Sequence, residues 1–594
     1  MIKPTIQRLL LLSIVMVGIV AFLKSCAIMV MPEGGPRDEE PPKLVRSFPK
    51  NYSTHFNRKE ILLEFDEFVV LSNVTQELIV SPPLDKTPDI YVKKGRTVVI
   101  ELEEELDSNT TYTFNFGDAI QDLTENNPLS AFSFVVSTGD YVDSLSVMGY
   151  AYDAKSLKPE EGLKIFLHRN LEDSAAFTTK PIYYTKAKED GRFALLNLKE
   201  GIYRLYATTD DDNNFKVNNG ENFAFYPQEI LVDKDSIQLS EPLRLSTYYE
   251  KPPRPSKATR AENGLMKLTF DRTPDSLEIS PFLHTFDYES SFKKWSEERD
   301  TFYYWYPPNE ADSLDWLVKT RQHPLGDFRT DTVQIKKPRK KQTKGKTSEQ
   351  PETLETEKTE ATDSVPKVKE QKSYRMQSPM KNKQTLPPNQ KIIFTFNHPI
   401  VEYLPKAPII VKDSVEEKLS DTALELKSPF EAVLHYAFEE DIKYQLFIPD
   451  SMFFDLKGNY NDSIRMHFAL GKVEEYGLLE ITFTSNKRVI SPFIVELLNE
   501  KGEAVRTHFM EEPKRIRYEH LKPDEYRIRI TTDEINNLKW DPHYFPEKFQ
   551  AEKVYLHNEV FKVRANWDLM DIKVPLDREM NFEHFQEIKD LIKK

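Results

Sequence analysis

Ile61-Leu62-Leu63-Glu64-Phe65-Asp66-Glu67-Phe68-Val69-Val70 opens the stretch that decides the fold. Thr97-Val98-Val99-Ile100-Glu101-Leu102, Thr111-Tyr112-Thr113-Phe114-Asn115-Phe116 and Phe132-Ser133-Phe134-Val135-Val136 complete it. These runs are β-branched or aromatic, several alternate apolar with polar residues, and clusters of Pro, Asn and Asp separate them. A period of two turns one face of a strand to a core and the other to water. Several such runs within about 100 residues predict an antiparallel sandwich over residues 43–140.

The same phrasing recurs outward along the chain. A second module, residues 143–248, opens with Val147-Met148-Gly149-Tyr150-Ala151-Tyr152-Asp153. It continues through Gly162-Leu163-Lys164-Ile165 and Asp190-Gly191-Arg192-Phe193, and closes with Leu198-Lys199-Glu200-Gly201-Ile202-Tyr203-Arg204-Leu205. Asp-Gly before an alternating strand predicts a tight hairpin turn. Residues 389–471 repeat the first module's pattern from Ile392-Ile393-Phe394-Thr395-Phe396. Residues 475–575 repeat the second, including Leu521-Lys522-Pro523-Asp524-Glu525-Tyr526-Arg527-Ile528-Arg529. A divergent strand-rich stretch, 262–335, makes the expected architecture five sandwiches in a row. Residues 336–388 run basic, acidic, then basic with few bulky apolar side chains, which predicts a disordered charged linker. Residues 581–594 predict a short C-terminal helix.

Composition agrees with an all-β, multidomain chain. Its 594 residues imply several domains, and 39 Pro against 18 Gly with 12% aromatics suit short strands joined by Pro-rich turns. The net charge of −15 argues against nucleic acid as a partner, since no broad basic field faces phosphates.

The N-terminus indicates export. Lys3 and Arg8 precede the apolar run Leu9–Leu23, and the chain's single cysteine, Cys26, follows Leu23-Lys24-Ser25. This segment resembles a bacterial lipoprotein signal, which implies a signal peptide over 1–25, acylation of Cys26 and a polar tether over 26–42. Leu9–Met31 is also long enough for an uncleaved anchor, with Lys24 inside the span. One cysteine forms no intramolecular disulfide, so the exported domains would rely on their own cores.

Further resemblances follow from the motifs. The wording from Ile61 to Gly139 resembles the bacterial, surface-layer-type Ig-like domain. Cys26-Ala27, Pro32, Gly34-Gly35-Pro36, Asp38 and Pro41-Pro42 resemble the mature start of an uncharacterised Bacteroidota lipoprotein family. The order of Gly, Asp, Pro and aromatic positions in 143–248 resembles the seven-stranded prealbumin-like, carboxypeptidase-regulatory-like sandwich. Together these imply tandem Ig-like and prealbumin-like β-sandwiches, anchored in the outer membrane through lipid on Cys26. Ala27-Ile28-Met29-Val30-Met31 follows the cysteine and Asp38-Glu39-Glu40 comes later, so either side of that membrane is compatible with the tether.

No catalytic signature is present. The twelve His include no i, i+4 pair, there is no G-x-S-x-G elbow or P-loop, and acylation would consume the one thiol. The expected role is therefore non-enzymatic: an interaction scaffold or accessory subunit, here of an outer-membrane β-barrel complex. The alternative is a surface glycan-binding lipoprotein. Two features bear on it. Asp210, Asp212, Asn214 and Glu221 fall at positions one, three, five and twelve of a loop, the spacing of oxygen ligands around Ca²⁺. Phe215 stands where such a loop favours Gly, and an Asx-rich turn gives the same residues a purely structural role. Trp305, within Phe302-Tyr303-Tyr304-Trp305-Tyr306, and Trp540 and Tyr544, within Trp540-Asp541-Pro542-His543-Tyr544-Phe545-Pro546, would offer rings to a partner or a glycan.

Overall fold

The structure, a computed structural model, describes residues 39–130, 132–160, 162–234, 237–262, 264–282, 291–337, 373–374, 384–388, 390–412, 414–486 and 488–577. The expected signal peptide, Cys26, the tether up to Asp38, most of the linker and the 581–594 helix lie outside these residues. No described helix is long and apolar enough to cross a membrane. The chain divides into two compact units, one running to Ser144 with Asn197–Lys199, the other comprising Leu145–Leu196 and Glu200 onward.

The first unit is the expected sandwich. One sheet orders Leu44–Phe48, Glu60–Phe65, Thr97–Glu101 and Asp89–Lys93, all antiparallel. The other orders Ile79–Ser81, Thr111–Asn115 and Ser133–Ser137. Alternation decides the faces, since Ile61, Leu63 and Phe65 are buried while Glu60 is exposed. They pack in one core with Tyr112, Phe114, Phe134 and Val136 of the opposite sheet.

The second unit holds four modules. In Leu145–Thr247 the first strand, Leu145–Asp153, pairs parallel with the last, Leu243–Thr247, while Lys164–His168 pairs antiparallel with Gly201–Thr208. The C-terminal module repeats this plan. Gly477–Thr484 pairs parallel with Asp568–Pro575, and Phe493–Leu498 pairs antiparallel with Asp524–Thr532. The expected Asp190-Gly191 hairpin is only half correct. A tight turn forms, with Gly191 at φ 83°, where a Cβ would meet the Ala151 carbonyl at 2.5 Å. The flanking strands Tyr183–Lys186 and Arg192–Leu198, however, go to opposite ends of the sheet. Local sequence set the turn, and long-range pairing chose the partners.

Between these modules, Pro255–Lys336 forms two sheets around Met266, Leu268, Phe302, Tyr304, Tyr306 and Trp316. A further module is built from strands between Gln384 and Leu470. The linker expectation is corrected at both ends. Lys336 closes the strand Arg329–Lys336, while Ser373–Tyr374 and Gln384–Leu386 pair parallel with Tyr460–Asn461 and Phe468–Leu470. Leu386 is buried in that module's core, which offsets the ordering cost of its strand.

The tandem sandwiches also share a core. Tyr150, Tyr152 and Leu157 of the Leu145–Thr247 module lie in the same hydrophobic core as Leu479, Tyr526, Ile528 and Val574 of the C-terminal one. The chain returns on itself and buries apolar surface between sequence-distant modules.

Candidate functional site

The segment between the strands Asp524–Thr532 and Val554–Leu556 is where three modules of the second unit meet. Pro542 and Pro546 lack the N–H a ladder needs, so the chain here forms a loop. Phe545 enters a cage of rings, with centroids 5.4 Å from Phe177, 5.5 Å from Phe223 and 5.0 Å from Phe225. Tyr544 stacks on His323 at 4.9 Å and 3°. Gln550 Nε2 donates to the Phe225 carbonyl at 2.8 Å, Lys548 pairs with Asp173 at 2.7 Å, and Lys539 pairs with Asp275. One loop therefore touches the second, third and C-terminal modules.

Ser246 and His543 meet inside this junction. The His543 backbone N–H donates to Ser246 Oγ at 3.1 Å, and the same oxygen contacts His543 Nδ1. Burial pushes the imidazole down to about 3. A serine beside a histidine is the start of a nucleophile–base pair, but a base so weak takes few protons at neutral pH. The pair ties modules together through a neutral ring. His323 is alike: burial lowers it to about 4, and Nδ1 accepts the Leu325 N–H at 3.2 Å.

Beside these groups opens a cavity of about 580 Å³, lined by residues of all three modules, among them Lys155, Tyr249, Arg272, Arg529 and Trp540. Its volume lies within the roughly 300–1,000 Å³ of small-molecule sites. Trp540 is half-buried, with Nε1 donating to the Glu552 carbonyl at 3.1 Å.

The second candidate is the Asp210 loop. One ligand atom each of Asp210, Asp212 and Glu221 lies within 4.8 Å of the others. Their oxygens are already engaged. Asp210 Oδ1 accepts N–H groups of Asn214 at 2.9 Å and Phe215 at 3.2 Å, and Oδ2 accepts the Lys164 ammonium at 2.6 Å. Lys164 also reaches Asn213 Oδ1 at 2.6 Å. Glu221 accepts the Thr208 hydroxyl at 3.0 Å and N–H groups of Asp211 at 3.1 Å and Asn218 at 2.8 Å. Asn214 Oδ1 accepts the Lys216 N–H at 2.7 Å. A hard cation would have to displace both an ammonium and these turn bonds. Burial is the main influence on the Asp210 carboxyl and raises it despite Lys164.

A second copy of this loop lies in the C-terminal module. Lys164 is register partner to Thr208, two residues before Asp210, and Ile494 is partner to Thr531, two before Asp533. Asp533 accepts N–H groups of Asn537 at 3.0 Å and Leu538 at 2.8 Å, the same i+4 and i+5 donors. Phe215 and Leu538 both sit at positive φ, 62° and 63°. The lysine position is Ile494. Glu552, fully buried, accepts N–H groups of Glu534 at 2.7 Å and Asp541 at 2.9 Å. Burial pushes it up to about 8 despite these N–H groups, and burial raises Asp541 to about 6.

The sequence-derived residues thus fall into separate places. Asp210, Asp212, Asn214 and Glu221 do converge. Trp305 is not on the surface: it is only 4% exposed and packs on Phe430 at 5.3 Å, beside Lys294, which donates to the Phe396 carbonyl at 2.9 Å. Of its run, Phe302, Tyr304 and Tyr306 face their own core, as period two requires, and on the other face Trp305 meets the fourth module. Trp540 and Tyr544 share one loop, and only Trp540 lines the 580 Å³ cavity. Sequence reading missed Lys164, Ser246 and Glu552. A lysine inside an apolar run, Lys164-Ile165-Phe166-Leu167, was the one visible signal among them.

Residues 38–138 match the family described as bacterial Ig-like domain. The chain is thus a protein of tandem β-sandwiches with an Ig-like domain at its start. No curated protein matches it. Among solved structures, the S-layer protein rSbsC(31-844) is similar at 10% identity over 84% of this chain and 66% of its own, with a TM-score of 0.13. Bacteroides ovatus SGBP-B of the mixed-linkage glucan utilization locus, in complex with mixed-linkage heptasaccharide, is similar at 8% identity over 71% and 91%, TM-score 0.16. The tandem Ig repeats of Dlar give 11% identity over 37% and 97%, TM-score 0.13. The chain spans 60% of a similar L,D-transpeptidase from Mycobacterium smegmatis and 66% of the S-layer protein, under two thirds in both cases.

Proposed function

We propose that this protein is a non-enzymatic cell-envelope lipoprotein, held in the outer membrane through Cys26, that serves as an interaction scaffold or accessory subunit of a β-barrel complex. The observation that supports a scaffold is the junction, in which the Phe545 loop joins three modules through an aromatic cage, a stacked pair and two ion pairs. A frame fixed in advance presents its surfaces with little ordering cost on binding. A non-catalytic reading fits the Ser246–His543 contact, whose imidazole is held neutral. Affinity purification from gently solubilised membranes, with intact-mass analysis of the bait, tests both halves. A stoichiometric barrel partner and a mature mass beginning at acylated Cys26 are expected. A retained Met1 overturns the lipid anchor, and a bait that elutes alone overturns the accessory-subunit role.

A further inference from the structure

We infer that the three-module cavity is a binding site for an anionic saccharide, a pyranose carrying a carboxylate or a phosphate. Two cations with few competing anions carry the charge part of this inference. Lys155 is exposed, sits 5.5 Å from the Trp540 ring centroid, and has no ion pair among the described residues. Arg272 lies over the Tyr249 ring at 3.8 Å and donates Nη2 to the Lys251 carbonyl at 2.7 Å. Its nearest carboxylate, Asp271, is 3.9 Å from Nε. A guanidinium whose nearest carboxylate stands this far off still offers its charge to an anion brought by a ligand. The third cation, Arg529, is already bound to Glu496 at 2.6 Å, and the lining carboxylate Asp153 caps the Ser156 N–H at 2.7 Å. Both therefore act as walls.

The aromatic lining supplies the other half. Trp540 and Tyr249 present rings beside Lys155 and Arg272, and His323 and His543 complete a neutral, dehydrated floor. A pyranose has one C–H face that packs on an aromatic ring and a rim of hydroxyls for polar neighbours, and an anionic substituent adds the charge that Lys155 and Arg272 answer. The choice of a saccharide over other flat anions rests on the envelope reading of the N-terminus, since exported protein meets surface polysaccharide and lipid-linked sugar. The cavity lies between modules, so it exists only while the Phe545 loop holds them together.

The test is calorimetric titration of the full-length chain in detergent with tri-galacturonate, with glucose 6-phosphate and with neutral maltotriose. Tri-galacturonate reads the carboxylate source and glucose 6-phosphate the phosphate source. Saturable binding of at least one anionic sugar is expected, with maltotriose about tenfold weaker or more. Lys155→Gln, an exposed change that leaves the fold intact, should weaken the anionic sugar about threefold or more, and Trp540→Ala should abolish binding. No saturable binding of either anion up to about 5 mM overturns the inference. So does equal binding of maltotriose, or Lys155→Gln binding like the parent chain. The mass at Cys26, read on the same preparation, reports the envelope reading separately, so the two fail independently.

Discussion

Asp210 and Asp533 occupy the same register position in two modules of the same topology, and each closes its loop by accepting the N–H groups four and five residues on. Asp210 also meets the ammonium of Lys164, whereas Asp533 has Ile494 at that strand position and two further buried acids, Asp541 and Glu552, nearby. The first loop keeps its burial within one module. The second holds its acids with backbone N–H groups and runs on into the segment that locks three modules together. A shared turn has thus been kept while the means of burying its charge has diverged, and the copy without a lysine is the one that carries the junction.

The comparison can be broken most forcefully at Lys164. Lys164→Met strands a buried carboxylate and should cost about 3–5 kcal/mol, seen as an early unfolding transition by calorimetry. Adding Asp210→Asn should recover part of it. If the single change is silent, the loop does not depend on its cation. At the other loop, Phe545→Ala empties the aromatic cage and should cost about 3 kcal/mol. It should also separate the unfolding of the modules, which limited proteolysis of the 533–552 segment reads directly.

A smaller effect concerns pH. Folded Glu552 binds its proton more tightly than the unfolded chain does, with a folded value of about 8. Its contribution to stability is therefore full below the ordinary carboxyl value, about 4.3, and is lost as pH rises to about 8. Thermal melts should show stability falling between about pH 5 and 8, and Glu552→Gln should flatten that slope. A slope unchanged by the substitution assigns the proton elsewhere. The smallest expected effect is that of Ca²⁺. About 2 mM of the ion should move the melting transition by less than about 1 °C, because Lys164 already answers Asp210. A larger shift replaces a lysine-centred loop with a metal-centred one.

Much of the fold was legible because strand faces are a local matter. The alternation in Ile61–Phe65 assigned the inward side chains, and Asp190-Gly191 marked a tight turn. The candidate site was much less legible. Trp305 reads as one of several rings in a run, and only the approach of Phe430 decides that it is covered. Trp540 and Phe545 stand in the same Pro-bounded loop, yet one lines a cavity and the other plugs a cage.

The sequence by itself determined an all-β chain of repeated sandwiches, the Asx turns that punctuate them and the acidic balance of the whole, because each depends on side-chain period, backbone donors within a few residues, or composition. Tertiary structure alone decided that the second, third and C-terminal modules close around one loop, that Ser246 meets His543 across 297 residues, and that Lys155, Arg272 and Trp540 line one cavity. Those contacts join segments with no shared local pattern. They exist because distant apolar faces lower their free energy by leaving water together, and no local signal reports which faces will meet.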